Sequence, residues 1–143
     1  MKGTEMVQKI VVNRCFGGFE LSLEAKQYYL GLVGKRAYFY VLTFDDGHNK
    51  YFQVTVKNSS ATVYTFTKDF GENFTEWPAN ESGYFDMDLA RDDPNLVKTV
   101  EALGEKASAR GSEIEIVEIP DGVNWVIEEY DGYETVAEKH RSW

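Results

Sequence analysis

Cysteine is nearly absent from this 143-residue sequence: Cys15 stands alone, so no intramolecular disulfide can form. A lone thiol suits a reducing compartment, and the cytosol is the expected location. Histidine is almost as scarce. His48 and His140 lie far apart, with no His-Glu-x-x-His pattern and no cysteine cluster, so no metal site is expected. No stretch approaches the ~18 apolar residues of a membrane-spanning helix. The apolar patch Ile10-Val11-Val12 is too brief for a signal-peptide core. Positive charge is short as well, with 15 Lys and Arg against 24 Asp and Glu, a formal net charge of −9. Nucleic-acid binders gain affinity by neutralising phosphates, so direct DNA or RNA binding is not expected.

Aromatic residues are abundant. Nine Tyr, nine Phe and three Trp make 15% of the chain, and 43% of it is hydrophobic. That composition and length suit one globular domain spanning 1–143, able to bury about 68–70% of its unfolded surface without a metal or disulfide. The acids are unevenly spread. Residues 113–143 hold nine of them against Lys139 and Arg141, a net of −7, whereas 1–112 carry a net of −2. Such a surface either solvates the protein or meets a basic surface on a partner.

Periodicity predicts an α+β fold, a largely antiparallel β-sheet with two main helices packed on it. Val7 to Cys15 reads as a strand buried on both faces. After Gly17-Gly18, Ser22 is a fitting N-cap for a helix whose stripe is Leu21, Ala25, Tyr28 and Leu32, stopped by Gly34. Strand-like runs follow at 37–44, 50–56 and 61–67, the first two separated by the turn formers of 45–49. Residues 68–92 read as a surface excursion with one short strand at 84–88. Asp93 and Pro94 open the second helix, with Leu96, Val100, Leu103 and Ala107 as its stripe and Gly111 as its stop. The run Ile114, Ile116, Val117, Ile119 slips its alternation by one residue and predicts a bulge. Asp131-Gly132 between Tyr130 and Tyr133 is a two-residue hairpin signal.

The two ends of the chain together resemble a family of small bacteriophage and prophage proteins. The resemblance rests on Asn13-Arg14-Cys15-Phe16-Gly17-Gly18-Phe19 with Leu21-Ser22, and on Arg91-Asp92-Asp93-Pro94 with Leu96-Val97 and Val100-Glu101-Ala102-Leu103-Gly104. It continues through Ile116-Val117-Glu118-Ile119-Pro120-Asp121-Gly122-Val123, Ile127-Glu128-Glu129-Tyr130-Asp131-Gly132 and the ending Ala137-Glu138-Lys139-His140-Arg141-Ser142-Trp143. It covers residues 7–33 and 91–143, a little over half the chain. Residues 36–90 have no counterpart in it and read either as a family-variable insertion or as a diverged part of the fold. The resemblance implies a phage-encoded protein acting in the host cytoplasm; it carries no catalytic residues to transfer.

Several constellations merit a chemical reading. Gly17-Gly18 between a strand and a helix would let backbone N–H groups approach an anion, with Arg14 and Arg141 adding charge-assisted contacts. The spacing matches neither phosphate-loop pattern, and Glu20 has the wrong sign. Cys15 and His140 are the one conceivable nucleophile–base pair, although a lone intracellular cysteine is ordinarily a small buried hydrophobe. Phe74, Trp77 and Tyr84 in the excursion are either partner anchors or a loop folded back onto its sheet. Glu128, Glu129 and Glu134 are the acids expected to face a partner.

The sequence therefore favours a non-enzymatic accessory protein, with no cofactor, that binds and inhibits a host protein with a basic surface. One alternative is a sponge for a nucleotide-like small molecule; another is a small Cys/His enzyme. Homo-oligomerisation is compatible with each.

Overall fold

The computed structural model describes residues 6–45, 47–55, 63–78, 83–86 and 88–139. Two helices and eight strands follow in the order β1 (Val7–Asn13), α1 (Leu23–Leu32), β2 (Tyr38–Asp45), β3 (His48–Val54) and β4 (Val63–Phe66). They continue with β5 (Asn73–Phe74), α2 (Pro94–Leu103), β6 (Ile114–Pro120), β7 (Trp125–Tyr130) and β8 (Tyr133–Glu138). Among the described residues the strand pairs are all antiparallel, consistent with an α+β fold. The chain divides into two compact units, one from the described residues of 1–25 and 89–143, the other from those of 26–88. The 36–90 segment thus falls almost wholly within the second.

In the first unit β1 pairs with β6 in unbroken register from Val7 opposite Pro120 to Asn13 opposite Ile114. The predicted bulge is absent. Ile116 and Val117 are both half-buried and sit opposite Val11 and Ile10. This part of the sheet is covered on both faces, which removes the need for strict alternation. Ile10, Val11 and Val12 are all fully buried, with α2 packed against β1 and β6 and β8 lying against β1.

Helix α2 begins as its sequence dictates. The Asp93 carboxylate accepts the Asn95 N–H at 2.8 Å, Pro94 takes the first position, and Leu96, Val97, Thr99 and Val100 are buried. It ends earlier than expected. Gly104, at φ 58°, closes the α-helix, and a single 3₁₀ turn carries buried Ala107 before Gly111 is reached. Strands β7 and β8 form the predicted hairpin. Asp131 (φ 52°) and Gly132 (φ 93°) are both left-handed, the backbone of a type I′ turn. The Gly132 N–H donates to Glu129 Oε2 at 2.9 Å.

Helix α1 is capped as expected, the Ala25 N–H donating to Ser22 Oγ at 3.1 Å. Its buried residues differ from the predicted stripe. Ala25, Lys26, Tyr29 and Leu30 are buried, while Tyr28 and Leu32 are exposed. Leu21 precedes the helix and is fixed by a bridge to Ser108, so its position does not set the helix face.

The second unit is built on a sheet in the order β4-β2-β3-β5. The 45–49 loop is tighter than predicted, because Asp45 and His48 already pair, with Gly47 at φ 77° in the turn. Tyr40, Tyr51 and Phe66 are its buried core. Phe66 has five ring neighbours, Tyr40, Phe70, Phe74, Trp77 and Tyr84, with centroids 5.2–5.9 Å away. The excursion after β4 is therefore folded back over the sheet. The short strand expected at 84–88 is reduced to a bridge between Tyr84 and Phe66, and β5 pairs with β3 instead.

A polar clip fastens that fold-back. The Tyr40 hydroxyl accepts the Phe70 N–H and donates to the Gly71 carbonyl, both at 2.9 Å. Asp69 Oδ1 accepts the Gly71 N–H at 2.8 Å and Gln53 Nε2 at 3.0 Å. These donors, the backbone one foremost, hold the Asp69 carboxyl below the usual aspartate range. Burial pushes the Tyr51 phenol above its usual range.

Candidate protein-binding face

Asn13, the last residue of β1, is fully buried and uses each of its side-chain groups. Its Nδ2 donates to the carbonyls of Cys15 (2.7 Å) and Gly132 (2.8 Å), and its Oδ1 accepts the Glu113 N–H at 2.8 Å. Its backbone N–H donates to Glu134 Oε1 at 2.8 Å. The Glu134 carboxylate is also held by Arg91 in a two-pronged ion pair, with Nη2 to Oε2 at 2.9 Å. The Arg91 guanidinium stacks 3.8 Å from the centre of the Phe19 ring and reaches the Val11 carbonyl at 3.3 Å. Glu134 is therefore an internal residue and not, as expected from sequence, a partner-facing acid. The pleat decides it: Glu129 and Glu134 are cross-strand neighbours on the inward side of the hairpin.

The diglycine has a packing role. A Cβ on Gly17 would lie 1.8 Å from the Gly111 carbonyl oxygen, and one on Gly132 would lie 2.8 Å from Gly18 N and from Phe16 O. Ser112 Oγ donates to the Gly18 carbonyl at 2.6 Å. Three loops thus touch backbone to backbone at Gly17 and Gly132, while the space a Cβ on Gly18 would take is open. Nor does Gly17-Gly18 open a helix, since α1 begins at Leu23 behind its own Ser22 cap. Arg14 is likewise engaged, with Nη1 on the Glu134 carbonyl at 3.1 Å and its guanidinium 5.7 Å from the centre of the Tyr133 ring. Arg141 and His140 lie outside the described residues.

This node pushes Phe16 outward. The side chain is 62% exposed, its ring 5.5 Å from that of Tyr133. Tyr133 sits opposite Tyr130, which is 78% exposed. Strand alternation places Val126, Glu128 and Tyr130 of β7 on the same outward face as Tyr133, Thr135 and Ala137 of β8. Trp125, Ile127 and Val136 point the other way, and Trp125 Nε1 donates to Gln8 Oε1 at 3.1 Å. The outward face thus joins large exposed apolar groups to an exposed acid at Glu128, with exposed Asp131 in the adjoining turn, while Glu138 lies opposite Trp125 on the other side. Glu129 is exposed too, on the opposite side of the pleat.

Phe74, Trp77 and Tyr84 take no part in it. They are half-buried in the aromatic core of the second unit, so the anchors foreseen there are core residues. What the sequence reading missed was Phe16 with Tyr130. The available signal was the hairpin's alternation, which puts Tyr130 opposite Tyr133 once the turn is known.

Cys15 is half-buried, and its carbonyl accepts from Asn13. Among the described residues no group of three His, Cys, Asp or Glu could hold a metal ion, and no helix is long and apolar enough to cross a membrane. The described residues line open depressions of about 420 Å³ beside Lys9 and Val97 and about 500 Å³ beside His48 and Phe44. Neither is lined by Arg14, Cys15 or the diglycine. In the first, Lys9 is bound to Glu101 at 2.6 Å, and this hydrogen bond raises its pKa.

The fold and this face define an α+β protein that displays an aromatic and acidic hairpin. No protein-family model, no curated protein and no solved structure matches the chain.

Proposed function

We propose that the chain is a phage-encoded accessory protein that works by binding, without catalysis, to a basic surface on a bacterial host protein and thereby inhibits it. The phage assignment rests on the sequence resemblance alone. The binding reading rests on one observation above the others: the outward hairpin face carries Tyr130 at 78% and Phe16 at 62% exposure beside the exposed acids Glu128 and Asp131. Large apolar side chains held in water beside charges of one sign are the composition of a protein-docking patch. The acids steer a basic partner, and the rings supply contact area once it arrives. The nucleotide-sponge reading has no comparable support, because the diglycine meets the protein's own backbone.

The test is purification of a tagged chain from infected host cells, beside a variant with Glu128→Lys and Asp131→Asn. A single stoichiometric host protein that is recovered with the first and lost with the second is the expected result. A partner retained in full by the charge-altered variant would remove the acidic face from the account.

A further inference from the structure

The proposed docking face has a feature that charge alone does not explain, and it narrows the partner's chemistry. Its largest exposed apolar groups are rings, Phe16 and Tyr130, with half-buried Tyr133 beside them and carboxylates at the border. The same unit already uses its rings to hold guanidinium groups. Arg91 lies 3.8 Å from the centre of Phe19 while its nitrogens grip the Glu134 carboxylate. Arg14 lies 5.7 Å from the centre of Tyr133 while it donates to the Glu134 carbonyl. In both, a planar cation rests on a ring and donates to an oxygen beside it.

We infer that the outward hairpin face docks an arginine-bearing segment of a protein partner and selects arginine over lysine, with Tyr130 and Phe16 stacking guanidinium groups and Glu128 and Asp131 accepting from them. This inference rests on the proposed partner-binding reading and deepens it. Guanidinium is flat and weakly hydrated, so it keeps its hydrogen bonds in its own plane while its face lies on a ring. An ammonium is compact and strongly hydrated, and it must shed water to make the same contact. Charge complementarity supports the choice of occupant. Between residues 113 and 139 the only Lys or Arg is Lys139, and Arg14, the cation that lies over Tyr133, is tied to the Glu134 carbonyl.

The probes are nona-arginine and nona-lysine peptides, titrated into the ¹⁵N-labelled full chain at fixed low salt and followed by amide chemical shifts. Nona-arginine is expected to bind about five-fold more tightly, the size of one exposed cation–π contact. Its shifts should centre on Phe16, Val126 and Tyr130. Tyr130→Thr with Phe16→Ser should erase the preference while leaving nona-lysine affinity unchanged, since both side chains are exposed and threonine suits a strand. Tyr130→Thr alone should give an intermediate preference. Equal affinity of the intact chain for the two peptides would overturn the inference and leave charge-driven docking standing. Failure of both peptides to bind would overturn the proposed function as well. Arginine preference with shifts centred elsewhere would reject this face as the site.

Discussion

In the unit formed by residues 26–88 the centre is a cluster of rings around Phe66, whereas in the unit of 1–25 and 89–143 the centre includes a polar knot of Asn13, Glu134 and Arg91. Ring packing is largely non-directional: it gains from area and accepts several geometries. A buried carboxylate that takes one backbone N–H and a two-pronged guanidinium has far fewer acceptable arrangements. The contrast explains where an outward face is held most firmly. Gly132 and Asn13 fix the hairpin turn against the 16–18 loop, and Glu134 fixes β8 from within, so Phe16, Tyr130 and Tyr133 are presented by pinned backbone. The ring-packed unit instead directs its half-buried aromatics, Phe74, Trp77 and Tyr84, into its own core.

Truncating Phe66 to Ala should give the largest loss, about 4 kcal/mol, because it leaves a cavity among five rings. Urea unfolding followed through Trp77, with Trp125 and Trp143 replaced by Phe, would measure it. A cost below ~1 kcal/mol would mean that the rings do not form one core.

Glu134→Gln should cost somewhat less, about 3 kcal/mol, by leaving Arg91 without its counter-charge. Arg91 is partly exposed, with 22% of its side chain accessible, so water recovers some of the loss. The loss should appear in an unfolding curve followed through Trp125, with Trp77 and Trp143 replaced. A near-neutral result would make the polar knot an ornament of the fold and remove the distinction drawn between the units.

The smallest effect sharpens the comparison through pH. The Asp69 carboxyl is held below its usual range in the folded chain, so the folded state binds its proton less readily than the unfolded state does. Its contribution is therefore present above the unfolded value of about 4 and lost as pH falls through the folded value. Asp69→Asn should flatten the acid limb of the stability–pH curve below about pH 4 and leave the neutral region nearly pH-independent. An unchanged acid limb would mean that the clip at Gly71 and Gln53 does not discriminate between the charged and neutral forms.

Much of the fold was legible because its signals are local. Asp93-Pro94 caps α2, and Asp131-Gly132 makes the hairpin, each within four residues of chain. The errors arose where distant parts decide. Gly104 rather than Gly111 ends α2, and Ile116-Val117 needs no bulge because both sheet faces are covered. The site was less legible for the same reason. Glu128 and Glu134 look alike in sequence, and only the pleat, with Arg91 arriving from 43 residues away, separates the exposed acid from the buried one. Gly17-Gly18 reads in sequence as a tight turn or an anion site, and only the fold shows Gly111 and Gly132 packed against it.

The central claim is that an exposed acidic and aromatic hairpin face binds a basic protein surface. Its most direct test is the dissociation constant of the host-partner complex as a function of salt. The account predicts at least about ten-fold weakening between 50 and 500 mM salt, because exposed carboxylates are screened over that range. An affinity unchanged across it would contradict the claim.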